Sequence, residues 1–297
     1  MTRVVVLTNP LAGHGKARHI ADRAIARLRA KGAEVTEIVG ADAADSLAQA
    51  RTAVAERPDA FVAVGGDGLI SIALQALAQT RIPLGIVPAG TGNDHAREHG
   101  VPTGDPEAAA DVILAGHGKT MDLGHAQMAD GSAKWFGTVL ATGFDSLVSD
   151  RTNRMTWPHG RMRYNLAIVA EFLNLKPLKF RLTLAGGEVL ERSVVLAAVG
   201  NTQYYGGGMQ ICPGADPLDG LVDITIINFV SRLRLARLFP TVFKGTHIEL
   251  DAVETHRVAS VQISAPGINA YADGEYVGPL PVTVTAVPEA ITVLVPE

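Results

Sequence analysis

With 297 residues, 47% of them hydrophobic and 19% charged, the chain has apolar side chains for a sizeable core and a length that favours two domains over one, which excludes a wholly disordered protein. The formal net charge of −4 argues against a general nucleic-acid binder, and no recognised nucleic-acid module accompanies it. Cys212 is the single cysteine, so no internal disulfide is expected and a cytoplasmic setting fits.

In chain order, residues 4–7 read as a strand, ended by Asn9 and Pro10 and too short for a signal peptide. Residues 14–31 then read as helix, 34–38 as strand, 45–56 as helix, 60–64 as strand, 69–79 as helix and 84–87 as strand. This alternation predicts βαβ units around a parallel sheet, whose ligands bind at the carboxyl ends of the strands. From about Lys119 the pattern changes to short alternating segments at 134–141, 179–184, 194–199, 222–227, 258–263 and 282–287, with helical intervals at 162–174 and 233–243. Such spacing predicts an antiparallel sandwich or barrel. The expected fold class is therefore α/β plus all-β: an N-terminal Rossmann-like α/β nucleotide domain over residues 1–124 and a C-terminal antiparallel β-sandwich over 125–288. The closing run 291–295 is open to either, and 289–297 is a candidate tail of the first domain. No uncharged apolar stretch reaches the ~18 residues of a membrane-spanning helix, so any membrane contact is expected to be peripheral.

Three glycine-rich turns follow strands of the first domain. Asn9-Pro10-Leu11-Ala12-Gly13-His14-Gly15-Lys16 places glycines before a helix N-terminus, where backbone N–H groups favour a phosphate. Ala17 after Gly15-Lys16, and Pro10 where the first glycine is required, distinguish it from a P-loop. Gly65-Gly66-Asp67-Gly68 permits close phosphate approach, with Asp67 either facing a hydrated metal or capping the helix. Pro88-Ala89-Gly90-Thr91-Gly92-Asn93-Asp94 adds hydroxyl and amide donors. Together the three describe a nucleotide phosphate site made of backbone amides.

The Gly65–Gly68 turn, the Gly90-Thr91-Gly92-Asn93-Asp94 loop and several later segments resemble the diacylglycerol kinase family of lipid kinases over nearly the whole chain. Those segments are Gly200-Asn201, Tyr205-Gly206-Gly207-Gly208-Met209, Pro213, Asp219-Gly220-Leu221-Val222-Asp223 and Asp273-Gly274-Glu275. The resemblance implies an ATP site on the α/β domain, completed by the β-sandwich. It implies ATP contacts at Asn9, Pro10, Leu11, Ala12 and Gly13, at Gly65, Gly66, Asp67, Gly68, Leu69, Ile70 and Ser71, and at Gly90, Thr91, Asn93 and Asp94. Glu275 is implied as the general base, with Asp67 and Asp122 completing an acidic group around Mg²⁺ and the γ-phosphate. Crowded carboxylates of this kind call for a balancing cation. A second, structural Mg²⁺ site is implied at Asp216, Asp219 and the carbonyl of Leu221.

The sequence departs from the family pattern at three places. Leu69 stands where the family has Thr or Ser, removing a hydroxyl near the phosphates. Leu218-Asp219 replaces two adjacent acids beside the structural metal, and His95 replaces an aromatic residue.

On the lipid side, Arg151, Arg154, Arg161, Arg163, Lys176, Lys179 and Arg181, with Trp157 and Tyr164 among them, face only one acid, Glu171. Arg232, Arg234 and Arg237 alternate with Leu233, Leu235 and Leu238. Both clusters suit either an anionic membrane surface or an ordinary solvated helix face. The reading is an ATP-dependent lipid kinase acting on diacylglycerol, a sphingoid base or a related lipid. NAD kinase and a non-catalytic nucleotide- or lipid-binding protein are the alternatives, no nucleic-acid partner is expected, and a homodimer or a monomer suits the constellation equally.

Overall fold

The computed structural model describes residues 2–9, 16–157 and 161–297. Its first half runs β1 (Arg3–Thr8), α1 (Lys16–Ala30), β2 (Glu34–Val39), α2 (Ala43–Ala55), β3 (Ala60–Gly65), α3 (Asp67–Leu77) and β4 (Leu84–Pro88). These strands pair in parallel in the order β2-β1-β3-β4. β3 and β4 are buried at every position, as central parallel strands covered on both faces must be. β2 lies at the edge and alternates in exposure.

Helix starts differ from expectation for local reasons. α2 begins two residues early because Asp42 caps it, accepting from the Asp45 amide. α3 begins at Asp67 itself and ends at Leu77, with Gln79 beyond it at a left-handed φ of +61°. Among the described residues three helices were not expected: α4 (Asp94–Glu98), α5 (Pro106–Ala115) and, in the second half, α6 (Phe144–Arg154). The first is too short for periodicity to register. The second carries a readable start, with Asp105 accepting from the Ala108 amide and Pro106 in the first turn.

The second half comprises β5 (Gly118–Met128), β6 (Ala133–Phe136), β7 (Val139–Gly143), α6 (Phe144–Arg154), α7 (Arg161–Leu173), β8 (Leu178–Leu184) and β9 (Val189–Gly200). It continues with β10 (Tyr204–Tyr205), β11 (Met209–Gln210), β12 (Val222–Asn228), α8 (Arg232–Val242), β13 (Val253–Val258), β14 (Ser260–Ser264), β15 (Asn269–Ala272), β16 (Glu275–Pro279) and β17 (Val282–Leu294). Pairing here is antiparallel, along β16-β15-β7-β9-β8-β14-β17, with β12 and β13 branching from β9 and β5 and β6 from β17. The α/β and antiparallel β halves match the expected fold class.

Three expected strands are corrected. Residues 134–141 are not one strand: the chain breaks between β6 and β7 because the amides of Gly137 and Thr138 turn to the carboxylate of Asp273. Residues 258–263 straddle β13 and β14, with the Ala259 carbonyl between them accepting from the Ala286 amide. Residues 282–287 and the closing run belong to one strand, β17, interrupted by a bulge between Val287 and Ile291. Its Val282, Val284 and Ala286 pack in the core of the β half, whereas Ala290, Ile291, Val293 and Leu294 pack in the α/β core with Phe61, Leu74 and Leu84. Val293 pairs in parallel with Leu84 of β4, so the end of the chain joins the first sheet. A third apolar cluster, around Met209, Ile211, Leu235, Leu238 and Val242, lies beneath α8.

Candidate active site

Two glycine turns meet at the carboxyl ends of β3 and β4. A Cβ on Gly90 would lie 2.5 Å from the Cα of Gly66, and one on Gly66 would lie 3.1 Å from the Cα of Gly90. Only residues without side chains let these backbones approach so closely. The second turn closes on itself: the Gly90 amide donates to Asn93 Oδ1 at 2.9 Å, and Asn93 Nδ2 donates to the Gly90 carbonyl at 3.0 Å. Asp67 opens α3, and its Oδ1 accepts from the His95 amide at 3.2 Å. The amides of Leu69 and Ile70 fold back onto the Gly66 carbonyl. The exposed amide end of α3 is therefore at Asp67 and Gly68.

A hairpin from the β half closes over these turns. Asp273 and Gly274, at φ +52° and +79°, form the two-residue connection between β15 and β16, with the positive φ values of a type I′ turn. The buried Asp273 carboxylate accepts from the amides of Gly137 (3.1 Å) and Thr138 (2.8 Å) and from the Thr138 hydroxyl (2.6 Å). His95 Nε2 lies 3.6 Å from it. Burial opposes charge on both groups, but each stabilises the other's charge, so Asp273 is held below the usual carboxylate range and His95 above the usual imidazole range. His95 thus ties α4 to the hairpin. The clamp sets Glu275 directly against Gly68, where a Cβ would lie 2.7 Å from Glu275 Oε1.

Two cavities meet around this hairpin, and a third adjoins the second. One of about 560 Å³ is lined by Asn9, Gly68, Leu69, Ser71, Gln75, Lys134 and Glu275, together with Gly40 to Asp42 at the end of β2. A cleft of about 620 Å³ is lined by Asp67, Thr91, Gly92, Asp94, Thr138, Asp145, Tyr205, Gly207, Asp273 and Gly274. Asp67 and Gly68 therefore face different cavities, as do Gly274 and Glu275, and the two spaces adjoin at these residues. A third cavity, of about 260 Å³, is apolar and lies among Phe144, Ile168, Phe172, Leu235, Leu238, Phe239 and Val242; it shares Asp145, Tyr205 and Met209 with the cleft.

The polar residues between these spaces are partnered. Asp94 is buried, which raises its carboxyl pKa. It accepts from Arg97 Nη1 at 2.6 Å and from the Gly207 amide at 2.8 Å, docking the triglycine segment onto the Gly90 loop. At the mouth of the apolar cavity the Tyr205 hydroxyl donates to Asp145 Oδ2 at 2.7 Å. Removal from water nevertheless pushes Asp145 up to about 6. Lys134, which sequence reasoning missed, donates to the Tyr276 carbonyl at 3.3 Å. Burial lowers its pKa, while the charges of Glu275 and Asp273 work the other way.

The expected residues divide accordingly. Asn9, Gly68, Leu69, Ser71 and Glu275 line the first cavity, and Asp67, Thr91 and Asp94 line the cleft. The Ser71 hydroxyl is buried without a hydrogen-bond partner, so it is available to a ligand of the first cavity in the neighbourhood where Leu69 lacks a hydroxyl. Ile70 is buried in the α/β core. Pro10, Leu11, Ala12 and Gly13 lie outside the described residues.

Asp122 stands apart. Its Oδ2 accepts from the Gly220 amide at 2.7 Å and its Oδ1 from the Glu289 amide at 3.0 Å. Both oxygens are thus committed to the turn before β12 and to the bulge of β17, and Asp122 does not line either polar cavity. Among the described residues no group of three or more His, Cys, Asp and Glu side chains is arranged to hold a metal. At the second metal set, Asp216 Oδ1 accepts from the Leu218 amide at 3.1 Å and Asp219 Oδ1 from the Leu221 amide at 2.9 Å, while Asp219 Oδ2 pairs with Arg257.

The basic segment is also more partnered than its composition suggests. Arg151 pairs with Glu171, Arg163 donates to the Met155 carbonyl, Arg181 pairs with Glu191, Arg232 donates to the carbonyls of Phe172 and Leu173, and Arg234 pairs with Asp251. What α7 and α8 expose beside the apolar cavity is largely hydrophobic: Met162, Val169, Leu173, Leu233, Phe239 and Phe243, with Trp157 75% exposed just before α7. No helix among the described residues is long and apolar enough to cross a membrane.

Comparison with known proteins agrees with this arrangement. Residues 3–126 match the diacylglycerol kinase catalytic domain, and residues 138–295 match the YegS C-terminal NAD kinase beta sandwich-like domain. A diacylglycerol kinase of Mycobacterium tuberculosis (strain ATCC 25618 / H37Rv) is 57% identical over 295 residues, covering 99% of this chain and 96% of that protein. A diacylglycerol kinase of Bacillus subtilis (strain 168) is 25% identical over 285 residues, covering 95% and 92%. A crystal structure of a diacylglycerol kinase from Bacillus anthracis str. Sterne shares the fold, with a TM-score of 0.74 at 20% identity and coverage of 100% and 97%. With both halves matched in order and a relative 57% identical over nearly the whole chain, the chain belongs to the diacylglycerol kinase family of lipid kinases.

Proposed function

We propose that the chain transfers the γ-phosphoryl group of ATP to the hydroxyl of diacylglycerol or a closely related membrane lipid. The observation that carries the reading is the sequence of three adjoining cavities. The first takes the nucleotide, the cleft takes the lipid headgroup, and the apolar cavity takes part of an acyl chain. Phosphoryl transfer then occurs where Asp67 and Gly68 meet Gly274 and Glu275.

The amides at the start of α3 and the touching Gly66 and Gly90 turns hold phosphate oxygens, as the positive end of a helix does. Lys134 and the Ser71 hydroxyl add donors. Mg²⁺ is normally held by one or two carboxylates together with substrate phosphates, so Asp67 would serve as its protein ligand although no larger acidic group is gathered among the described residues. When bound, the ion neutralises developing charge on the phosphate oxygens. Glu275 accepts the lipid hydroxyl proton as that oxygen bonds to the γ-phosphorus and the bond to the bridging oxygen of ADP breaks. A positioned base of this kind contributes about 10²–10⁴-fold.

In the same reading, residues 1–124 with the tail 289–297 form the nucleotide-binding unit and residues 125–288 the lipid-binding unit. Asp122 holds these units in register. The exposed apolar side chains of α7 and α8 rest on the membrane surface beside the acyl-chain cavity, with Arg154, Lys176, Lys179 and Arg237 toward anionic headgroups.

The test is transfer of labelled γ-phosphate from Mg·ATP to a panel of lipids in mixed micelles, with NAD as a control acceptor. Labelling of a glycerolipid hydroxyl is expected. Labelling of NAD alone would replace the reading with NAD kinase, and ATP binding without labelling of any acceptor would leave a binding protein.

A further inference from the structure

The turn that leads into β12 gathers negative charge. Asp216, Asp219 and Asp223 lie within eight residues. Such a cluster needs a counter-charge. In the family resemblance that role belongs to a divalent ion on Asp216, Asp219 and the Leu221 carbonyl.

The donor set here does not suit that ion. Water can fill much of a hard divalent cation's shell of about six oxygens, but the protein must still offer it free carboxylate oxygens. Leu218 occupies the position of a second adjacent acid, Asp219 Oδ1 is engaged by the Leu221 amide, and Asp216 Oδ1 by the Leu218 amide. The remaining Asp219 oxygen, Oδ2, is held by the Arg257 guanidinium, whose Nε lies 3.4 Å from Asp223 Oδ1. Arg257 is not a chance neighbour. It stands directly opposite Asp223 in the antiparallel register of β12 and β13, so the sheet fixes where its side chain emerges.

We propose that Arg257 supplies the counter-charge for this turn, and that the protein has no structural divalent-cation site there. A guanidinium bonded to Asp219 would also repel an ion seeking the same carboxylate. The position of the turn is then secured by two covalently resident groups, Arg257 on its outer side and Asp122 through the Gly220 amide. The inference is independent of which lipid the cleft accepts.

The test uses the whole chain without nucleotide. Mn²⁺ titration followed by electron paramagnetic resonance, and thermal unfolding in EDTA or in millimolar Mg²⁺, are compared for the wild type, Asp219→Asn and Arg257→Gln. The wild type is expected to melt at the same temperature in chelator and in Mg²⁺ and to show no Mn²⁺ binding that Asp219→Asn removes. Arg257→Gln is expected to melt lower. A wild-type melting point that falls on chelation, Mn²⁺ binding abolished by Asp219→Asn, or an unshifted melting point for Arg257→Gln would each overturn the proposal. If Arg257→Gln does not fold, the wild-type and Asp219→Asn titrations still decide.

Discussion

Asp122→Asn separates a structural role from a chemical one. The native carboxylate is 3% exposed and accepts two backbone amides, from Gly220 at 2.7 Å and Glu289 at 3.0 Å. Asparagine retains one acceptor oxygen but turns an amide donor toward the other N–H, leaving both groups unpaired. A hydrogen bond to a charged group contributes about 1.5–3 kcal/mol, so the loss should fall near 2–3 kcal/mol. At about 2–4 °C per kcal/mol for a sizeable domain, the melting midpoint should drop by roughly 4–12 °C. Thermal unfolding gives the shift, and initial rates of lipid phosphorylation well below the variant's melting range give the chemistry. The expected outcome is a destabilised enzyme whose folded fraction turns over close to the wild-type rate. An unshifted midpoint together with a rate loss beyond about 100-fold, the size of a general-base or electrostatic contribution, would refute this and return Asp122 to the γ-phosphate.

Two further outcomes follow from the site. Gly90→Ala inserts a Cβ 2.5 Å from the Cα of Gly66; overpacking of this kind costs about 1–3 kcal/mol, and calorimetric titration should show ATP affinity reduced by roughly tenfold to a hundredfold. Unchanged affinity would remove the contact between the two turns from the nucleotide site. Asp145 bears on pH: with its folded pKa raised to about 6 from an ordinary 3.8, the native state holds the extra proton, so its contribution is complete below about pH 4 and is lost as pH rises through 6, by up to about 3 kcal/mol. Asp145→Asn should abolish that component of the stability slope between about pH 4 and 7, and denaturant titrations in which both proteins keep identical slopes would contradict it.

The architecture was largely readable because its signals are local. Apolar runs followed by glycine turns mark β1, β3 and β4, and the order of motifs placed Gly65–Gly68, Gly90–Asp94 and Asp273–Glu275 on one candidate site. What was not readable depends on contacts distant in sequence. Gly137 and Thr138 look like the middle of a strand until Asp273, 135 residues away from Thr138, draws their amides out of the ladder. Lys134 reads as an ordinary strand residue, and only the fold brings it into the cavity with Glu275. The role of Arg257 depends on the register of β12 against β13, and that of Asp122 on a bulge in β17. Charge counting over 151–181 likewise could not reveal that Arg151, Arg163 and Arg181 are engaged within the protein.

In the proposed reaction, phosphoryl transfer to a lipid occurs where the hairpin Glu275 meets the Gly68 end of α3. The most direct measurement pairs single-turnover formation of phosphatidate from diacylglycerol with ATP binding, for the wild type and Glu275→Gln. The variant is expected to bind ATP much as the wild type does and to form product more slowly by about 10²–10⁴-fold, the usual contribution of a general base. Phosphatidate formed by Glu275→Gln at the wild-type rate would contradict it.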